Sequence, residues 1–307
     1  MSTFPDQLFQ LGGVPVGQDD LFTTGKVFFV SSVTGSDNNT QGSLTYPKAT
    51  IDAAVGLCTA DKGDVIVVLP GHTETVIAAA GLDLDVAGIK IIGLGSGSLR
   101  PTINFTTDVD ADMDVDAANI TMKNFLFTGG IDALTGPIDI NAADFKLLGC
   151  ETRDVTGQAT DFIVTDANAD RLLIDGWIHR GAAGAGADTA ITIVGGDDII
   201  IRNFNIYGNF AVAGIENVTT AAVRINIGGG GAWNYIWTAN AADIAITMVS
   251  TATGFIGPKI NCMLTDNAAN ITEAVTAAAC QIMQPINICN LAGETSMFTN
   301  ITASTDA

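Results

Sequence analysis

The chain has 307 residues, with 13 Lys+Arg against 33 Asp+Glu and a formal net charge of −20. That length buries a core without disulfide or metal staples, and that charge repels nucleic-acid phosphates and anionic polysaccharides. Charged residues are 15% of the chain and hydrophobic ones 47%, against about 25% charged in an average soluble domain, so much backbone must be paired internally.

Apolar runs such as Val65 to Leu69 and Ile89 to Ile92 fall far short of the roughly 18 residues of a membrane-spanning helix. No membrane or nucleic-acid partner is expected. The start, Met-Ser-Thr-Phe-Pro-Asp, has neither a basic nor an apolar leader region, which argues against secretion by the general route. Cys58, Cys150, Cys262, Cys280 and Cys289 form an odd set without a CxxC pair, read as reduced core thiols.

Residues 1–25 carry Phe4, Leu8, Phe9, Leu11 and Val14 without a clear period and are predicted to form an arm. An ordered N-terminal pattern follows: Gly35-Ser36-Asp37-Asn38-Asn39, Gly42-Ser43, Pro47, Ala49 to Ala54, and Gly63-Asp64-Val65 through Leu69-Pro70-Gly71. Ile51, Ala54, Val55 and Cys58 make one apolar helical stripe, which predicts a short helix near 48–58 with Pro47 close to its start.

A repeat then dominates the chain. Segments beginning at Gly88, Asn119, Asp144, Arg171 and Asp198, spaced by 31, 25, 27 and 27 residues, share one eleven-residue template. Offset 1 is Ile89, Ile120, Phe145, Leu172 and Ile199; offset 3 is Ile91, Met122, Leu147, Ile174 and Ile201. Offset 5 is Gly93, Asn124, Gly149, Gly176 and Asn203, the residue types that most readily take positive φ, so a tight bend is predicted there. Offset 6 turns inward again as Leu94, Phe125, Cys150, Trp177 and Phe204. A period of two on both sides of a corner means strand, corner, strand. Upstream partner strands are predicted at Met113–Val115, Ile138–Ile140, Phe162–Val164 and Ile191–Ile193. Three short strands per roughly 25 residues make one coil of a parallel β-solenoid.

After Gly208 the template degrades, with Arg224 at offset 3 if Asn226 and Ile227 hold offsets 5 and 6. Gly228 to Gly231 then reads as a break before Trp233, Tyr235 and Trp237. The predicted division is therefore an arm at 1–25, a solenoid at 26–227 and a β-rich association section at 228–307, with irregular further coils as the alternative for the last.

The N-terminal pattern resembles the entrance of right-handed parallel β-helix proteins of the pectin-lyase-like superfamily, particularly those in bacteriophage structural proteins. The resemblance covers roughly residues 26 to 210. It implies an all-β, right-handed parallel β-helix with a short N-terminal capping helix. It also implies a virion location after assembly in the host cytoplasm, a homotrimer, and neighbours among capsid or tail proteins, as a capsid decoration or short spike. Enzymes and adhesins share the same entrance, so a tailspike-type polysaccharide depolymerase, hydrolase or lyase, and a passive binder of host surface glycan stand as alternatives.

Asp108, Asp110, Asp112, Asp114 and Asp116 alternate with apolar residues. In a strand they share one face about 6.6 Å apart, a row suited to calcium held with help from the next coil. No other cofactor is expected. A glycosidase needs two carboxyls about 5 to 9.5 Å apart, and Asp144, Asp170 and Asp198 near equivalent strand starts, or Glu151 and Asp154, are the candidates on adjacent coils. Of the two histidines, His72 reads as a loop residue of the entrance, while offset 8 places His179 inward or at a corner. Trp177, Trp233, Tyr235 and Trp237 are the candidate glycan-stacking aromatics, although offset 6 turns Trp177 inward.

Overall fold

The computed structural model describes residues 9–11, 14–16, 23–154, 159–182, 184, 186–218, 222–239, 244–264 and 274–290. Its strands build three parallel sheets of ten, nine and eight strands, each visited once per coil. The first sheet begins with Val27–Val30 and Val65–Val68 and ends at Gln281–Ile282; the second runs from Thr73–Val76 to Ile286–Asn290; the third runs from Leu82–Asp83 to Val275–Thr276. The chain is an all-β parallel solenoid with almost no helix.

Like stacks on like. On the first sheet the inward column is Ile66, Ile91, Met122, Leu147, Ile174, Ile201, Ile227 and Ile256. All are fully buried, each worth about 1.5–3 kcal/mol relative to exposure. Between the sheets lie Phe105, Phe125, Phe127, Phe145, Phe162, Trp177, Phe204 and Phe210, also buried. The four predicted partner strands lie in the third sheet, two of them lengthened to Asp161–Thr165 and Thr189–Ile193.

The predicted corner is present at Asn124, Gly149, Gly176 and Asn203, with φ of 63°, 58°, 74° and 53°. The first coil departs from it: Gly93 lacks positive φ, Gly95 takes it instead, and a 3-10 turn at Gly97–Leu99 follows. Leu94 is consequently exposed rather than turned inward. A second left-handed stack runs through the template's first position: Gly88, Asn119, Asp144, Arg171, Asp198 and Arg224, with φ between 57° and 75°. Arg224 thus holds offset 0, and Ile201 pairs with Ile227. Read from Arg224, the template continues with Ile225, Ile227 and Gly229 at offsets 1, 3 and 5, and residues 228–231 form the loop that joins Ile225–Ile227 of the first sheet to Asn234–Thr238 of the second. Strands from Asn234 to Asn290 belong to the same three sheets.

The helix is shorter than predicted, Ile51–Val55, with Thr50 as N-cap accepting the Ala53 N–H. Gly56 ends it, and Cys58 is only half-buried. Ile51, Ala54 and Val55 pack against Val27–Val30, Val65–Val68 and Leu82–Asp83. In the loop before it, Asp37 accepts the Ala49 and Thr50 N–H groups, and a Cβ on Gly35 would fall 2.1 Å from the Lys48 carbonyl oxygen. Of the expected arm, residues 9–11 and 14–16 pair antiparallel with Phe9 opposite Val16; its other residues through 22, like 291–307, lie outside the described residues. Cys150, Cys262 and Cys280 are buried in the core, and the Cys289 side chain lies outside the described residues.

Two glycines separate conformational from steric cost. Gly149, with φ of 58°, has open space where a Cβ would go, whereas a Cβ on Gly254 would sit 2.0 Å from the Ile225 carbonyl oxygen. Gly149→Ala should lower stability by about 1–2 kcal/mol, the left-handed penalty of an L-residue. Gly254→Ala should lower it further. Calorimetric melts check this, and equal shifts would contradict the corner geometry.

Candidate functional site

Asp114 lies between Asp83 and Asp139 on adjacent rungs of the third sheet. The row of five aspartates is only partly a strand face. Asp112, Asp114 and Asp116 point outward while Ala111, Met113 and Val115 are buried, but the strand covers only Met113–Val115. Asp108 and Asp110 lie in the preceding turn, where the Asp108 carboxylate accepts the Asp110 N–H at 3.1 Å. Val109 is exposed there, so the alternation has no inward half to enforce it. Among the described residues no three metal-ligating side chains converge. Like charges on opposed rungs repel, and the titration follows. Burial, then Asp112, Asp116 and Asp83, push the Asp114 carboxyl up to about 6. Burial and Asp114 push Asp139 up to about 6.

The candidate acids of the template behave differently. Asp144 and Asp198 occupy left-handed corners, each clasped in a two-pronged bond from the arginine one coil later. Arg171 reaches Asp144 at 2.7 and 2.7 Å, and Arg224 reaches Asp198 at 2.6 and 2.8 Å. Those bonds hold both carboxyls below their ordinary range. Asp170 accepts the Asp197 N–H at 2.8 Å. The corner stack therefore alternates Asp144, Arg171, Asp198, Arg224, interposing a cation wherever two carboxylates would have met.

Glu151 stands on the outer face of the second sheet, ringed by Arg100 at 3.1 Å, Arg153 at 2.7 Å and Arg180 at 3.0 Å. Burial alone would raise its pKa, but Arg153 and Arg180 outweigh it and the carboxyl stays low. Asp154 turns the other way. It is 5% exposed, its Oδ1 has no partner among the described residues, and burial raises its carboxyl to about 6.

Both histidines are engaged structurally. His72 Nδ1 accepts the Ser32 backbone N–H, so Nε2 carries the proton and donates to Glu74, which also accepts the Ile51 N–H. Neither ring nitrogen is left to activate a hydroxyl in the adjoining cleft of about 390 Å³, lined by Ser32, Thr50, Asp52, Thr73, Glu74 and Thr75. His179 is fully buried between Trp177, Phe162 and Phe210 and bonded to Thr152. Burial drives its pKa down to about 3, and the Trp177 N–H also binds Thr152.

Of the aromatics, Trp177 is buried, while Trp233, Tyr235 and Trp237 are exposed by 39%, 47% and 42%. Tyr207 joins them, edge-on to Trp237 at 5.9 Å. Sequence reasoning missed both Tyr207 and the arginine trio. Arg153, Arg180 and Tyr207 share offset 9 of their units, a column that would have revealed these three but not Arg100.

The aspartate face sets a pH dependence. Folded Asp114 and Asp139 hold protons near pH 6 that the unfolded chain, with carboxyls near 3.9, has lost, so they destabilise the fold above pH 6 and stop doing so as pH falls toward 4. Lowering pH from 7 to 5 should raise the melting temperature. Asp139→Asn should raise it at pH 7 and leave it little changed at pH 4, and a fall at pH 7 would contradict the repulsion. Since no three ligands converge, chelation should leave the midpoint unchanged; a drop would restore calcium at the aspartate row.

No protein-family profile matches the chain, and no curated protein matches it. Among solved structures it is similar to a rhamnogalacturonan lyase, at 14% identity and a TM-score of 0.39, over 84% of this chain and 87% of that one. That likeness carries no argument about chemistry.

Proposed function

We propose that this chain is a non-enzymatic structural protein of the bacteriophage-virion type, a stiff acidic rod displayed as capsid decoration or a short spike. It works as a homotrimer among other virion proteins. The observation that carries the non-enzymatic part is the state of the candidate acids. Glycoside hydrolysis needs two carboxyls flanking one bond, one of them raised. Asp144, Glu151 and Asp198 are held low by arginines, Asp170 binds a backbone amide, and raised Asp154 faces the core.

The rod part draws support from the continuous sheets, which need no cofactor to be stiff. The helix Ile51–Val55 lies on the first strands of the first and third sheets, where a cover hides edges that would template aggregation. A surplus of 20 negative charges keeps free copies soluble and apart. Passive glycan binding is a second reading, favoured by exposed Trp233, Tyr235 and Trp237.

Incubation with host capsular polysaccharide or lipopolysaccharide should yield no new reducing or unsaturated ends, and immunogold should label the particle surface. Product formation that disappears in Asp154→Asn would replace this reading with the depolymerase.

A further inference from the structure

The outer face of the second sheet carries a column unlike any other among the described residues. Thr128, Arg153, Arg180, Tyr207, Trp237 and Met263 occupy successive rungs, about 4.8 Å apart. Of the six arginines, Arg171, Arg202 and Arg224 are each matched to an aspartate one coil earlier. The other three, Arg100, Arg153 and Arg180, converge on the single carboxylate of Glu151. Three cations on one anion leave this spot positive on a chain whose net charge is −20.

The spot is built. Glu151 is nearly covered and fixes the guanidinium groups, Arg153 and Arg180 through Nε, while their side chains remain 45% and 60% exposed. Next to it the surface is uncharged, with exposed Tyr235 flanked by Asn205 and Asn261 and exposed Trp237 by Tyr207 and Met263. Arg, Tyr, Trp and Met are the residues enriched at the centres of protein interfaces and among their hot spots.

The third sheet is its electrostatic complement. Asp139 lies on the coil before Arg153, Asp188 on the coil of Arg180, and Glu216 on the coil after. Asp83, Asp112 and Asp114 extend the acidic surface toward the N-terminal coils. Two rods side by side and in register would therefore bring acids to the height of the arginines. We propose that the outer face of the second sheet docks onto the acidic outer face of the third sheet of a second copy of this chain. Arg153 and Arg180 meet the carboxylates, and Tyr207 and Trp237 fill the dry centre.

Such a contact joins two different patches, so it is heterologous and closes a ring when repeated about an axis along the rods. It relieves the mutual repulsion of Asp114 and Asp139, whose carboxyls are already raised. The inference rests on the reading of the chain as an assembling rod and names the surfaces used.

Sedimentation velocity of the full chain at rising salt tests it. The wild type should form a closed oligomer that dissociates as salt screens the contact. Arg153→Gln with Arg180→Glu should weaken association at least tenfold, as should Asp114→Lys with Asp139→Lys, while mixing the two variants should restore it. Circular dichroism checks folding, and Trp237→Ala, at an exposed position, serves as the milder probe. A monomeric wild type, variants that assemble normally, or no rescue on mixing would overturn the proposal. So would neutral-glycan capture that Trp237→Ala abolishes without any change in mass. A monomer found on particles would sink this docking alone, whereas an oligomer missing from particles would sink only the virion reading.

Discussion

The structure depends on a single constraint: each coil must return its backbone to within hydrogen-bonding distance of the coil before. Two columns of left-handed residues do this, one through Asn124, Gly149, Gly176 and Asn203 and one through Asn119, Asp144, Arg171, Asp198 and Arg224. The first uses residues for which positive φ is cheap. The second places Asp and Arg in a conformation that costs each about 1–2 kcal/mol, and sets against that strain a two-pronged ion pair to the adjacent coil. Exposed pairs contribute little singly, so the corners depend chiefly on the stacked apolar columns beside them.

With the coils fixed, surface chemistry is sorted by sheet. The period of two leaves one residue in two free of the core, and stacking collects those residues into columns. The third sheet gathers carboxylates that repel one another, the second gathers arginines and then aromatics, and the corner alternates charge. None of these groupings needs residues close in sequence, since one coil is about 25 residues long.

The same separation explains what the sequence could show. The apolar offsets and the Gly/Asn corner were legible because they repeat within eleven residues. Corner residues Asp144 and Arg171 were not, because nothing local distinguishes an aspartate at positive φ from one in a turn. The register at Arg224 was misread by three residues because Gly228 to Gly231 looked like a break, although glycines suit the left-handed corner the stack requires there. The five aspartates read as one strand because alternation was extended past the point where Val109 has a core to face. The convergence of Arg100, Arg153 and Arg180 on Glu151 is a property of neighbouring rungs and became visible only once the rungs were aligned.

The alternating corner also constrains how such a protein can change length during evolution. Deleting the single coil between Arg171 and Asp198 would bring Asp144 directly beneath Asp198, carboxylate on carboxylate, whereas deleting two coils would seat Asp144 under Arg224 and preserve the pairing. Between Asp144 and Arg224, such internal coils are lost without electrostatic penalty only in pairs, a parity rule that four side chains impose on this stretch.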